Sequence, residues 1–513
     1  MSPARTDTSP DVAYDWLRHH ALYNPDDLAA VDLSTGRRFT YAEFDERCTR
    51  LATGMQKEFA VGRGDRVAFV AHNSSDHFEC MFACWKLGAI FIPVNWRLHS
   101  VEAQTLIAHA SPRLVICDEE FTAILDADMP NTLTRRTDSE QCGYETLIRN
   151  HEALATMPVM HYDDANTLLY TSGTTATPKG VIYTWRMTMN IVLQAALHAE
   201  LSRYSRTLVF APLFHTAALN SGAMSLFHYG GTVYVMKHWD AKECLQHLSD
   251  PVMGISHCNG VPTNYIMMSE QPEFAAASFP ALRFAGVGSA PVSASLLDTW
   301  LERNVAMVQS YGMTEAFSVA LTPPHRARDM LGSAGHTLMH VEVQIGNDKG
   351  TELPRGETGE IQIRGPGVTP GYWEEPELSA NAFVDGWFRS GDAGRMQADG
   401  TIFVVDRLKD MYISGGENIY PAEIEHVIMQ LAAVSQAAVI GIPHEKWTEA
   451  GLALVKLREN AVLETAEIIA HCRSRLAGFK VPKAVVIVDS LPISPQGKVR
   501  KRELQEQYSQ TEI

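Results

Sequence analysis

Between Arg66 and about Glu315 the chain repeats one pattern: a short apolar run rich in Val, Ile or Phe, then, in several places, a longer stretch with helical spacing. "RVAFVA" leads to "HFECMFACWKLGA" and then to "IFIPV" and "RLVICDE". "TLVFAPL", "TVYVMK", "GISHCNG", "LRFAGVGSA" and "AMVQSYG" follow, with helical stretches such as "SASLLDTWLERN" between several of them. Apolar runs without alternation belong to strands buried on both faces, so the pattern predicts an α/β fold of parallel sheets covered by helices. In such sheets ligands sit beyond the carboxyl ends of the strands.

From about Gly335 the texture changes. "VEVQIGNDKG", "GEIQIRGPG" and "GTIFVVDRLKDMYISGG" alternate apolar and polar residues between Gly-rich turns, which predicts antiparallel ribbon or a small β-barrel-like part. After Lys409 helical and strand patterns mix again: "PAEIEHVIMQL", "AAVIGIP", "LALVKLR", "AEIIAHCRSRLAGF" and "AVVIVDS". A boundary near Lys409 is expected, giving a large domain over 1–408 and a small α+β domain over 409–513.

Composition narrows the function. A net charge of −17 argues against a nucleic-acid partner. The most apolar window, "MFACWKLGAIFIPV", is too short to span a bilayer and contains Lys86, so no transmembrane segment is expected. The N-terminus has no apolar signal region, and the eight cysteines show no CxxC pairing. Reduced, buried thiols in a cytoplasmic protein are the expectation.

One loop stands out chemically. In "LLYTSGTTATPKGVIYTW", Thr171, Ser172, Thr174, Thr175 and Thr177 surround Gly173 and Gly180, with Lys179 among them. Small residues expose backbone N–H groups, hydroxyls bind phosphate or Mg2+, and a lysine adds a point charge. The spacing is not the Walker pattern, because Pro178 and Gly180 flank the lysine. A plain surface loop of Ser, Thr and Gly would look similar.

This loop resembles the phosphate loop of the adenylate-forming enzymes: acyl- and aryl-CoA synthetases, peptide-synthetase adenylation domains and beetle luciferases. Three more segments match in the family's order. They are "QSYGMTEAF", "GWFRSGDAGRMQADGTIFVVDRLKDMYISGGENIYPAEIE" and "PISPQGKVRKREL". The resemblance runs from "TYAEF" nearly to the C-terminus and is strongest with bacterial fatty-acyl-CoA ligases. It implies ATP, Mg2+ and CoA as cofactor and co-substrates. The large domain would bind ATP and the acyl group, and the small one would be a mobile lid carrying a catalytic lysine.

The resemblance also implies residue roles. Thr171, Ser172, Gly173, Thr174, Thr175 and Lys179 would hold the β- and γ-phosphates; position 176 is Ala where glycine is usual. Tyr311 would stack on adenine, Gly312 leave room for the nucleotide and Thr314 approach the α-phosphate. Glu315, with Thr174, would hold Mg2+. Gly288, Ser289 and Ala290 in "GVGSAP" would line the adenine and acyl sites. Pro291 stands where a dinucleotide fingerprint would place its third glycine. Asp392 and Arg407 would hold the ribose. Lys498 would lie between the substrate carboxylate and the α-phosphate, offsetting the repulsion of two anions. Rotation of the small domain about Lys409 would then withdraw Lys498 and bring in Gly415 and Gly416, while Trp447 and Phe479 flank CoA; Thr448-Glu449-Ala450 replace the usual Gly-Glu nearby. His215 in "APLFHTAALN" would lie beside the acyl carbon.

The "PLFH" and "GVPTNY" regions carry no obvious aspartate for a substrate amine, while Thr216, Ala217, Ala218, Gly222 and Ala223 are small. A medium- or long-chain acyl substrate, and with it a place in fatty-acid metabolism, is therefore expected. An aryl acid or ring-containing catabolic intermediate is the alternative. An acyl-AMP ligase that loads a carrier protein, and a non-catalytic binding protein, remain as further readings, and a homodimer is an allowed assembly.

Overall fold

The structure is a computed structural model that describes residues 12–125, 131–136, 141–171, 178–289, 292–414, 417–444, 447–476, 478, 480–494, 499–509 and 511. Two compact units emerge: Met1–Glu342 with Ile363–Phe383, and Val343–Gln362 with Val384–Ile513. Lys409 falls within the second, in an exposed turn that follows the strand Ile402–Arg407.

The first unit contains two sheets. In the six-stranded one, Thr132–Arg135, Leu114–Asp118, Arg66–Val70 and Ile90–Val94 pair in parallel in that order. The hairpin of Ala165–Thr171 and Lys179–Thr184 completes it. The helix Ser75–Leu87 is buried along its entire length although it carries Asp76, Glu79 and Lys86. Its charged residues are paired: Lys86 lies 2.5 Å from Asp15 and 2.6 Å from Asp45, and Glu79 is bound by Arg47.

The nine-stranded sheet runs His336–Thr337, Phe317–Leu321, Met307–Met313, Phe284–Gly288, His257–Gly260, Arg206–Val209, Thr232–Val235, Leu28–Asp32, Arg38–Thr40. The strands from Met307–Met313 to Leu28–Asp32 are parallel, as their apolar, Val-rich runs predict. Their register sets up two rows of neighbours. Thr207 lies beside His257, and His257 beside Phe284. Two residues further on, Asn259 lies beside Gly286. Residues two apart in a strand share a face, so Phe284, Gly286 and Gly288 line one face of their strand toward its carboxyl end.

In the second unit Trp387–Met396 pairs antiparallel with Ile402–Arg407, in keeping with the alternating sequence. The hairpin of Val434–His444 and Thr448–Leu457 forms the spine of the C-terminal part. The helices Pro421–Ile428 and Thr465–Arg473 and the parallel strand Ala484–Ile487 pack with it. Among the described residues no helix is long and apolar enough to cross a membrane, and all eight cysteines are free and buried.

Candidate active site

The hydroxyl-rich loop closes the hairpin between Thr171 and Lys179, which lie opposite each other. Ser172, Gly173, Thr174 and Thr175 lie outside the described residues, so the frame alone can be followed. A second segment locks that frame. Gly371 accepts from the Ile182 N–H at 3.2 Å and the Trp373 N–H donates to Gly180 at 2.7 Å. The Thr369 hydroxyl donates to the Ile182 carbonyl at 2.7 Å, and its N–H donates to the Glu315 carbonyl, also at 2.7 Å.

Glu315 is fixed from two sides. Besides that backbone bond, Tyr372 donates its hydroxyl to Glu315 Oε1 at 3.1 Å. Burial, and then the Glu315 charge, push the Tyr372 phenol well above its ordinary range, so it stays a donor. Lys179 Nζ lies 5.7 Å from the centroid of the Tyr372 ring. One tyrosine thus links the lysine of the loop with the acid of the "GMTEAF" segment. A half-buried carboxylate held in this way is a suitable hard oxygen ligand for Mg2+; the other expected ligand, Thr174, is outside the described residues.

Thr314 is bound through its backbone: Tyr183 donates its hydroxyl to the Thr314 carbonyl at 2.6 Å and also lies 2.8 Å from the Thr216 hydroxyl. Asn220 donates to the same Thr216 oxygen at 2.9 Å. Thr216 follows His215, and both precede a π-helical stretch, Ala217–Met224. Such widened turns recur at functional sites. The expected row of small residues is divided by this turn: Ala218 and Ala223 pack into the core, while Gly222 faces the Asn259 side chain.

Beyond the carboxyl ends of the strands, side chains give way to backbone. A Cβ on Gly312 would overlap the Phe317 carbonyl, and one on Gly288 would meet Ser310 backbone. Ser289 and Phe317 sit at φ of 68° and 54°, strained for non-glycine residues, as happens where a site dictates the backbone. Tyr311 is half-buried at the end of the same strand. Ala290 is outside the described residues.

Below this glycine-lined edge lies a crevice of about 40 Å³. Asn259, Phe317 and Ser318 line it, as do Phe284, His257, Thr207 and His198. Ser318 pairs directly with Gly312 across the sheet. The crevice therefore starts where the expected nucleotide edge ends.

In the second unit Asp392 and Arg407 are register partners, with Arg407 Nε 2.7 Å from Asp392 Oδ1. The carboxylate is 3% exposed, while the guanidinium is about two-fifths exposed. Lys409 is exposed, and the Trp447 ring has Lys483 Nζ 5.5 Å from its centroid. Gly415, Gly416, Phe479 and Lys498 lie outside the described residues. The chain on either side of Lys498 is pinned: Ile493 bridges Val499, and Lys501 Nζ lies 2.8 Å from Glu425.

Three residues escaped the sequence reading, Tyr183, Asn220 and Tyr372, while Thr216 was read there only as a small residue. The Gly-Tyr-Trp run at 371–373 was the available signal for Tyr372. Nothing local marks Tyr183, whose partner lies more than a hundred residues away.

The chain matches the AMP-binding enzyme family over residues 17–373 and the AMP-binding enzyme C-terminal domain over 423–498. It belongs to the AMP-binding enzyme family. Lys409 falls between the two matched segments. Among curated relatives of this AMP-binding enzyme, a feruloyl-CoA synthase of Amycolatopsis sp is 38% identical over 92% of this chain and 94% of that protein. The long-chain-fatty-acid–CoA ligase FadD13 of Mycobacterium tuberculosis is 36% identical over 96% and 98%. The o-succinylbenzoate-CoA synthetase MenE of Bacillus subtilis, solved with ATP and magnesium ion, superposes with a TM-score of 0.85 at 27% identity, covering 96% of this chain and 100% of that one. The AMP-binding enzyme is accordingly an AMP-forming acid–thiol ligase that uses ATP and CoA. The α/β architecture expected from the sequence, and the family, are both borne out.

Proposed function

We propose that this ligase activates a bulky, largely apolar carboxylic acid and transfers it to CoA. In the first step a carboxylate oxygen attacks the α-phosphorus of ATP. The bond to the bridging oxygen breaks, leaving acyl-adenylate and pyrophosphate. In the second step the CoA thiol attacks the acyl carbon, AMP leaves and the thiol proton is lost to solvent.

The residues divide this work. The backbone and hydroxyls of 171–175 and Lys179 hold the triphosphate, and Tyr311 and Gly312 receive adenine. Asp392 and Arg407 hold the ribose, and Thr314 is aimed through Tyr183. Glu315, steadied by Tyr372, together with Thr174 holds Mg2+, which screens the phosphate charge when bound. Lys498 lets carboxylate meet phosphate in the first step. Turning of the 409–513 segment about Lys409 removes it for the second, when Gly415, Gly416, Trp447 and Phe479 take up CoA. His215 lies beside the acyl carbon.

The observation that carries the acyl assignment is the crevice lined by Ser318, which pairs with Gly312, and by Asn259, Phe284 and Thr207. A space of about 40 Å³ has room for the end of a compact, ring-bearing acid and none for a long straight chain. We therefore favour the aryl or ring-containing reading over a medium- or long-chain fatty acid, which the largely apolar lining also supports. Free buried cysteines agree with a reducing cytoplasm.

A pyrophosphate-release screen with ring-bearing acids and straight-chain acids of graded length tests this reading. Ring-bearing acids should turn over fastest, with AMP release depending on CoA. Fastest turnover of long straight chains would reject the preference, and no turnover of any acid would reject the ligase.

A further inference from the structure

The far end of the crevice is not apolar, although everything around it could be. Thr207 is fully buried in the middle of a sheet, where Val would fill the same volume. Its Oγ1 has no hydrogen-bond partner among the described residues, and neither has the buried Nε2 of His198. His257 and Gln194, which line the same crevice, are engaged. His257 Nδ1 meets Ser256 Oγ at 2.7 Å and its Nε2 meets the Ala199 carbonyl at 2.7 Å. Gln194 donates to the Met339 carbonyl at 3.0 Å. Thr207 Oγ1 and His198 Nε2 are thus left for whatever enters, and a buried polar atom without a partner costs stability.

We propose that Thr207 Oγ1 and His198 Nε2 receive a hydrogen-bonding oxygen at the end of the acid remote from its carboxylate. The substrate class is then a bulky acid with a distal hydroxyl, ether or keto oxygen, not a plain hydrocarbon acid. This rests on reading the crevice as the acyl site of the ligase. Burial lowers the His198 pKa, so the ring is neutral and its Nε2 can donate or accept according to tautomer. A distal hydroxyl can donate to one of the two atoms and accept from the other; an ether or keto oxygen accepts from both. A space of about 40 Å³ admits one such group. The two residues come from different elements, the strand Arg206–Val209 and the helix Trp185–Ala199, so neither is explained by the other's packing.

The test uses matched acid pairs in the pyrophosphate-release assay: cinnamic-type acids with and without a para-hydroxyl, and straight-chain acids with and without a terminal hydroxyl. The wild type should favour the hydroxylated member of the better pair by about tenfold or more in kcat/KM, the scale expected when a site's buried polar groups are left unpaired by the plain analogue. Thr207→Val should bring the ratio near one, and Thr207→Ser should restore the preference. His198→Leu provides the same readout if Thr207→Val folds poorly. A wild-type ratio near one, or a ratio unchanged in the variants, overturns the inference and leaves the ligase standing. Failure of every acid would instead remove the reading on which it rests.

Discussion

Replacing Tyr372 by Phe removes one oxygen and keeps the ring in its place. The lost group is the donor of the 3.1 Å bond to Glu315. A hydrogen bond to a charged acceptor contributes about 1.5–3 kcal/mol. If that bond aims Glu315 where Mg2+ and phosphate need it, adenylation should slow by about ten- to a hundredfold, at about 1.4 kcal/mol per tenfold. Pyrophosphate release at saturating acid, titrated with Mg2+, reads this directly: kcat/KM for ATP should fall and the Mg2+ concentration at half-maximal rate should rise. Thioester formation from supplied acyl-adenylate and CoA needs no triphosphate and should be nearly unchanged. The ring stays, so the melting temperature should shift little. Wild-type pyrophosphate release in Tyr372→Phe, or an equal loss in both half-reactions, would refute the reasoning.

Lys498→Ala should abolish pyrophosphate release while sparing conversion of supplied acyl-adenylate to thioester, measured by AMP release; equal loss of both steps would contradict its assigned place. Stability should also respond to mild acid through His228, whose ring packs 4.7 Å from Trp16 and whose pKa burial lowers to about 4. The unfolded histidine takes its proton near 6.5, so the unfolded state binds more protons between the two values. Stability is therefore present above pH 6.5 and lost as pH falls, by about 2 kcal/mol from pH 7 to 5. His20 is depressed by burial as well, so the measure is the difference in denaturant midpoints between wild type and His228→Phe, which should lose part of the slope.

Much of the scaffold was legible because burial on both faces leaves a compositional mark. "IFIPV", "TVYVMK" and "AMVQSYG" each occupy a strand as expected. Which strands share a sheet was not legible. Leu28–Asp32 lies parallel to Thr232–Val235, a pairing set by tertiary packing across much of the first unit. The pairing of Asp392 with Arg407 could be anticipated from the motif, and strand register delivers it. Tyr183 and Tyr372 could not be read in this way. A tyrosine's task depends on which carbonyl or carboxylate its hydroxyl meets in space, and no spacing along the chain encodes that. Likewise Thr207 reads as an ordinary β-former until its neighbours are known.

The segment Thr369–Trp373 ties the loop hairpin and Glu315 into a single mechanical piece, whereas the crevice floor is built from the opposite halves of the strands and one helix. On the proposed assignment of the crevice, nucleotide handling and acid choice draw on nearly separate sets of side chains that meet around Phe317 and Ser318. A lineage with this arrangement can exchange its cargo by a few substitutions deep in the sheet while its energy-coupling parts stay untouched, and a designer seeking a new acid should begin there.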